Sequence, residues 1–305
     1  SACPPPMILD QIIAASLTLT TPILLAAMGG LVNRQGGIVN IALDAKMLAG
    51  AFVAVIVSSA TGGWFIAVIS AALAGALVGY LFSLVITRAN ANMIVAGLGL
   101  NVLVAGLIGF VLNWVYDSSG TLRLPDVQLL PKFLPDFVSG IPVIGLALSE
   151  LEPLTVFAWL TVLVLPFLLA NTRIGLWIRA TGNAPQVARA MGISGRNVQD
   201  FSTAFAGFFS GLGGAHLALA SIGLFNEGLT AGRGFIALAA FYFGRDRPVT
   251  TALVCLLFGF LDATQIRMQT AGLPPKLIGT IPYLMVLVAL CVAGWRNHRR
   301  KAVTP

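Results

Sequence analysis

The sequence predicts an all-α polytopic membrane protein, a single transmembrane domain over residues 1–305. Three observations predict it. Of the 305 residues 57% are hydrophobic and 10% charged, with a mean hydropathy of +0.91, whereas soluble domains carry about 25% charged residues. The apolar residues fall in runs of about 20, the length that crosses a bilayer as a helix. All basic residues except Lys46, and Arg233 at the very start of one run, lie outside those runs. A soluble body of this size is excluded, and so is disorder, because too much apolar surface would be left in water.

Nine apolar segments follow in order: 9–31, 38–60, 64–87, 93–115, 153–171, 200–224, 233–244, 249–266 and 277–295. The seventh is too short for a span and reads as a half-helix after a re-entrant or surface stretch. Non-helical backbone at that depth is tolerated only inside protein or beside water. The positive-inside rule orients the set. With the tail residues Arg296, Arg299, Arg300 and Lys301 inside, nine crossings put the N-terminus outside. Arg34, Arg88, Arg173, Arg179, Arg189, Arg196, Arg245 and Arg247 are then also inside, twelve of the 18 basic residues. Most acidic residues, including Asp117, Asp126, Asp136, Glu150, Glu152 and Glu227, fall outside. The net charge of +7 therefore follows from topology and needs no nucleic-acid partner. Trp64, Trp114, Tyr116, Trp177 and Trp295 fall at span ends, as an aromatic belt requires. Ser1-Ala2-Cys3 is a faint match to a lipoprotein cleavage box, but no cleavable signal peptide is expected. Cys3, Cys255 and Cys291 form no metal or redox spacing.

Two connections are long: an outer loop over 116–152, with four prolines, and an inner loop over 172–199. No soluble domain is inserted, so the energy source is another chain or an ion gradient. Gly36-Gly37-Ile38 and Gly232-Arg233-Gly234 each read as a glycine turn feeding an apolar helix, one from each side, the echo an inverted repeat would leave.

The chemistry on offer is sparse. No Gly-Lys dipeptide occurs, so there is no phosphate loop, and the chain is not expected to hydrolyse nucleotide or act as an enzyme. With only His216 and His298 available, no metal site is expected. An intramembrane serine protease would need a hydroxyl facing His216; Ser210 diverges on the same helix, leaving Ser70 or Ser83. An aspartyl protease would use Asp44 and Asp262, without a supporting motif. Buried ionisable groups face a partner or a cavity. Lys46 reads as snorkelling from the inner end of segment two, and Asp44 as a structural hydrogen bond or a group beside a path. Asp262, placed near the outer face with Gln265 and Arg267, reads as half of a local ion pair. His216 reads as a satisfied packing residue. Asn101, among small residues, either lines a path or bonds between helices. Gly207, Gly211 and Gly214 allow close packing in segment six.

The inner loop is the most informative stretch. Thr181 to Ile193 reads as one short helix, with Asn183 as N-cap, Pro185 in the first turn and Gly192 at the end. Val187, Ala190 and Met191 share one face. Such a helix is too short to stand alone, so it packs on the membrane or docks into a cytoplasmic partner.

Here the residues resemble a family. Gly182-x-x-Pro185-x-x-Ala188-x-x-x-Gly192-Ile193 is similar to the coupling-helix loop of permease subunits from ATP-binding-cassette importers for branched-chain amino acids, simple sugars and nucleosides. Gly37 to Phe52 resembles that family's "G-x-x-N-I-G-x-E-G-x-M-L-x-G-A-F". Thr230 to Ala239 with Phe243-Gly244, and Leu273-Pro274-Pro275 with Ile281-Pro282-Tyr283-Leu284, resemble its nucleoside-type members. Three departures bear on substrate rather than on fold: Asp44-Ala45 replaces Glu-Gly, Lys46 adds a charge, and Gln186 replaces a Glu.

The resemblance implies no cofactor in this chain, with ATP and Mg at partner ATPases. Its implied partners are a second permease, identical or paralogous, two cytoplasmic ATPase subunits and an extracytoplasmic binding protein. It implies a bacterial-type inner membrane. Asn183, Pro185, Val187, Ala188, Ala190, Met191, Gly192 and Ile193 would meet the ATPase. The outer loop and residues 226–233, with Asp126, Asp136, Glu227 and Arg233, would meet the binding protein. Asn40, Asp44 and Asn101 would border a narrow, largely apolar path for a nucleoside or related compound, with a sugar or branched-chain amino acid as alternatives. The reading from another class is an ion-coupled secondary transporter.

Overall fold

The computed structural model describes residues 8–118, 120–132, 152–220 and 223–270. The elements in order are α1 (Ile8–Gln35), α2 (Leu43–Thr61), α3 (Trp64–Thr87), α4 (Met93–Tyr116) and β1 (Thr121–Leu122). Then come α5 (Pro153–Asn171), α6 (Arg173–Asn183), α7 (Pro185–Ala190), α8 (Gly195–Leu219), β2 (Phe225–Asn226), α9 (Arg233–Phe243) and α10 (Pro248–Thr270). Six of the helices, α1 to α5 and α10, are long and apolar enough to cross a membrane. The ninth predicted segment lies outside the described residues.

Helix α8 is the pivot. It packs against α1, α2 and α3, and its small residues let backbones meet. A Cβ on Gly207 would lie 2.2 Å from the Gly75 carbonyl oxygen, and one on Gly211 would lie 2.3 Å from that of Ala71. On Gly214 it would fall 1.9 Å from the Met47 oxygen. The close packing expected of these glycines is present. Burial inside protein also explains why so many Ser, Thr and Gly residues are tolerated in this helix.

Three boundaries differ from the sequence reading. Segment two begins as a helix only at Leu43, because residues 36–42 are non-helical; hydropathy registers apolar side chains, not backbone path. The predicted echo of two glycine turns feeding helices fails for that reason. Segment six starts at Gly195, and the inner loop is filled by α6, α7 and the first turn of α8. Helix α9 has 11 residues, about 16 Å at 1.5 Å per residue and so about half a bilayer core. The short pairing of β1 with β2, Thr121 opposite Asn226, ties the outer loop to the stretch before α9.

Candidate functional site

The interruption between α1 and α2 is the centre of the site. Its backbone groups lack helical partners, and those buried inside protein need others. Side chains from elsewhere supply them. The Asn101 amide donates to the Ile41 carbonyl at 3.1 Å, and its oxygen accepts from the Ala45 N–H at 2.9 Å. Gln199 donates to the Gly36 carbonyl at 3.4 Å. Lys46 Nζ donates to Asn40 Oδ1 at 2.9 Å and lies 4.7 Å over the Phe82 ring. Lys46 is fully buried, so the snorkelling expected of it is wrong: α2 begins deep in the protein, and Lys46 points inward.

Asp44 sits in the first turn of α2 and closes the N-terminus of α9. Its Oδ1 accepts from the Gly234 N–H at 3.1 Å and its Oδ2 from the Thr230 hydroxyl at 3.0 Å. A carboxylate is favoured there by the unpaired amides and the helix dipole. Position 234 must be Gly, since a Cβ would lie 2.3 Å from the Asp44 nitrogen. Arg233 lies 3.7 Å from Asp262 and donates to the Leu229 carbonyl. The two carboxylates expected near opposite faces thus converge on one helix end, and the ion pair of Asp262 with Arg233 joins different helices rather than neighbours in sequence.

Asn40, Asp44 and Asn101 are therefore brought together, but Asn101 serves the interruption, Asp44 the start of α9, and Asn40 accepts from Lys46. Asp44 and Asn101 keep partial exposure; Asn40 is enclosed and borders no open space in this conformation. Thr230, Gly234 and Lys46 complete the centre. A Gly–x–Gly turn before an apolar run signalled Gly234; nothing local signalled its pairing with Asp44.

At the other end of the interruption lies the loop over residues 172–199. A Cβ on Gly182 would fall 2.1 Å from the Gln35 oxygen, and Gly37, at φ +86°, faces it. Arg34 pairs with Asp246 at 2.7 Å and Gln35 donates to the Asp246 carbonyl, strapping the α9–α10 turn to the end of α1. A cleft of about 470 Å³ opens among Arg34, Gln35, Arg179, Asn183 and Asp246.

Helix α7 is shorter than the helix expected over 181–193. Asn183 ends α6 instead of capping α7; Ala184 holds the N-cap position without a side-chain bond, and Pro185 is the first helical residue. Thr172 caps α6, accepting from Gly175 N–H. Gly192, at φ +77°, turns the chain out, and Ile193 N–H bonds the Ala188 carbonyl. Ala188 is buried, while Val187 is 62% and Met191 76% exposed, with Ala190 open beside them. The loop presents apolar side chains outward from α7, which follows the helix whose Gly182 packs on the interruption.

Around the loop after α4, Ser58 and Ser59 bond the backbone at Gln128 and Pro125, and Glu227 N–H bonds the Gly120 carbonyl. Asp126 and Glu227 are exposed on this cap. Asp136 lies outside the described residues, and Arg233 is held inward by Asp262. Glu152, expected on the outer rim, is buried with its carboxylate 3.0 Å from His216 Nε2. His216 is satisfied as expected. The nearest hydroxyl to it is that of Thr155, at 3.4 Å. Ser210 bonds the Ala206 carbonyl and Ser83 bonds Asp200, so neither faces the imidazole. Among the described residues no three His, Cys, Asp or Glu side chains gather in a metal-binding group.

Interrupted and half-length helices around polar groups recur in membrane transporters. The chain belongs to the family described as branched-chain amino acid transport system/permease component, matched over residues 12–290. It is 32% identical to a nucleoside ABC transporter permease, NupC of Lactococcus lactis, over 93% of this chain and 92% of the relative. It is 30% identical to a guanosine ABC transporter permease, NupQ of Bacillus subtilis, over the same shares. A putative glucose ABC transporter permease of Haloferax volcanii is 28% identical over 95% of this chain and 94% of its own. No solved structure matches the chain.

Proposed function

We propose that this chain is the membrane-spanning half of an ABC importer that carries a nucleoside inward with ATP hydrolysed, with Mg, on partner ATPase subunits. The observation that carries the reading is the exposed apolar face of α7, which follows directly on α6, whose Gly182 packs on Gln35 and Gly37 at the start of the interruption. A push on α7 would reach the interruption without passing through flexible chain. The nucleoside comes from the names of the two relatives at 30% identity or more; the glucose permease supports a sugar as the second reading.

In this arrangement nine segments, including 277–295, lie in a bacterial-type inner membrane, the half-length α9 crossing together with the non-helical stretch before it, with the N-terminus outside and the C-terminus in the cytoplasm. A second permease completes the path, bordered here by Asp44 and Asn101. An extracytoplasmic binding protein meets the cap that carries Asp126 and Glu227. Reconstituted vesicles holding the neighbouring subunits test this. Uptake of guanosine should need ATP and the binding protein; uptake driven by an imposed proton or sodium gradient without ATP would establish the ion-coupled reading instead. A ligand screen on the binding protein separates nucleoside from sugar.

A further inference from the structure

We propose that α6 and the groove beneath it form a binding site for an anionic phospholipid of the inner leaflet. The groove, about 160 Å³, runs between α1, α5, α6 and α8 and is lined by Leu165, Leu168, Ile174, Ile178, Phe201 and Phe205. It offers almost no polar group, so its occupant there is hydrocarbon. Above it α6 turns Ile174, Leu176 and Trp177 outward. An apolar face with a Trp on a short helix flanked by Arg173 and Arg179 matches a helix lying at the headgroup boundary.

The charge at the mouth selects the headgroup. Arg173 stands between two groove residues, Thr172 and Ile174, and is exposed. Among the described residues its guanidinium has no hydrogen bond or ion pair. Arg189, Arg196, Arg245 and Arg247 are exposed on the same side of the chain. The two acidic residues assigned to that side are already engaged, Asp200 with Ser83, Thr87 and Arg88, and Asp246 with Arg34. Arg173 at the mouth is therefore a cation without internal compensation on a side rich in exposed arginines, and a phosphate headgroup over an acyl-sized groove complements it. Because α6 runs into α7 through Ala184 alone, an occupied groove would hold the coupling helix at a fixed height above the bilayer.

The proposal rests on the inward placement of the 172–199 loop, but its test needs no ATPase, binding protein or nucleoside, so the import reading can fail separately. The purified full chain in detergent is mixed with equal phosphatidylglycerol and phosphatidylcholine of the same acyl length. Retained lipid is then counted by native mass spectrometry. Phosphatidylglycerol should be retained preferentially. Arg173→Gln should lower its retention about fivefold, the effect of one cation near an anionic surface. Ile174→Trp, which fills the groove mouth from an exposed position, should lower retention of both lipids. Arg189→Gln, equally exposed but away from the groove, should change nothing, and millimolar inorganic phosphate should not displace the lipid. Equal retention of the two lipids, or equal effects of Arg173→Gln and Arg189→Gln, overturns the site. Displacement by phosphate alone would also overturn it, by showing an anion site without the acyl chain.

Discussion

Replacing Asp44 with Ala removes both acceptors at the N-terminal end of α9. The Gly234 N–H and the Thr230 hydroxyl lose bonds of 3.1 and 3.0 Å to a carboxylate. A hydrogen bond to a charged group contributes about 1.5–3 kcal/mol. Asp44 is partly exposed, so water offsets some of the loss and the low end applies to each bond. The pair then contributes about 3 kcal/mol, roughly a hundredfold in the local opening equilibrium at 1.4 kcal/mol per factor of ten. Hydrogen exchange followed by mass spectrometry on peptides covering 228–236, in lipid nanodiscs, reads this directly. Exchange at Gly234 should accelerate about a hundredfold in Asp44→Ala, with α3 and α8 unchanged. Asp44→Asn keeps one acceptor for Gly234 and loses the charge that the helix dipole favours, so about tenfold is expected. Unchanged protection of Gly234 in Asp44→Ala would refute the idea that this carboxylate holds α9.

Four further outcomes follow from the same geometry. Val187→Asp or Met191→Asp should leave the melting temperature within a degree or two and uncouple ATP hydrolysis from uptake in vesicles; normal coupling in both variants would remove α7 from the ATPase interface. Gly214→Ala places a Cβ 1.9 Å from the Met47 carbonyl oxygen, an overpacking that costs about 1–3 kcal/mol or more, so the yield of folded protein should fall while Gly99→Ala, with open space around it, should not change it. Glu152→Ala leaves His216 buried without its carboxylate and should destabilise by about 3 kcal/mol in thermal unfolding. Asp126→Asn should leave stability unchanged and weaken only the salt dependence of binding-protein association.

The sequence alone determined the membrane class, the orientation expectation and most of the spans, because a bilayer imposes length and hydropathy on each segment independently of its neighbours. Starts at Trp64, Met93 and Pro153 were legible to the residue: Asn92 caps α4 by accepting from Ile94 and Val95, Pro153 opens α5, and Gly62–Gly63 precede α3. The short helix of the 172–199 loop was legible for the same local reason, through Pro185 and Gly192. What only the tertiary structure decided is where polar groups find partners. Residues 38–42 read as helix because they are apolar, yet Asn101 and Gln199, 60 and 163 positions from their acceptors, make a non-helical path affordable there. Lys46 and Asp44 sit two residues apart in sequence, but one turns to Asn40 and the other to Gly234. A buried polar side chain takes whichever partner folding brings near, and that choice has no local signature; the apolar face of each helix does.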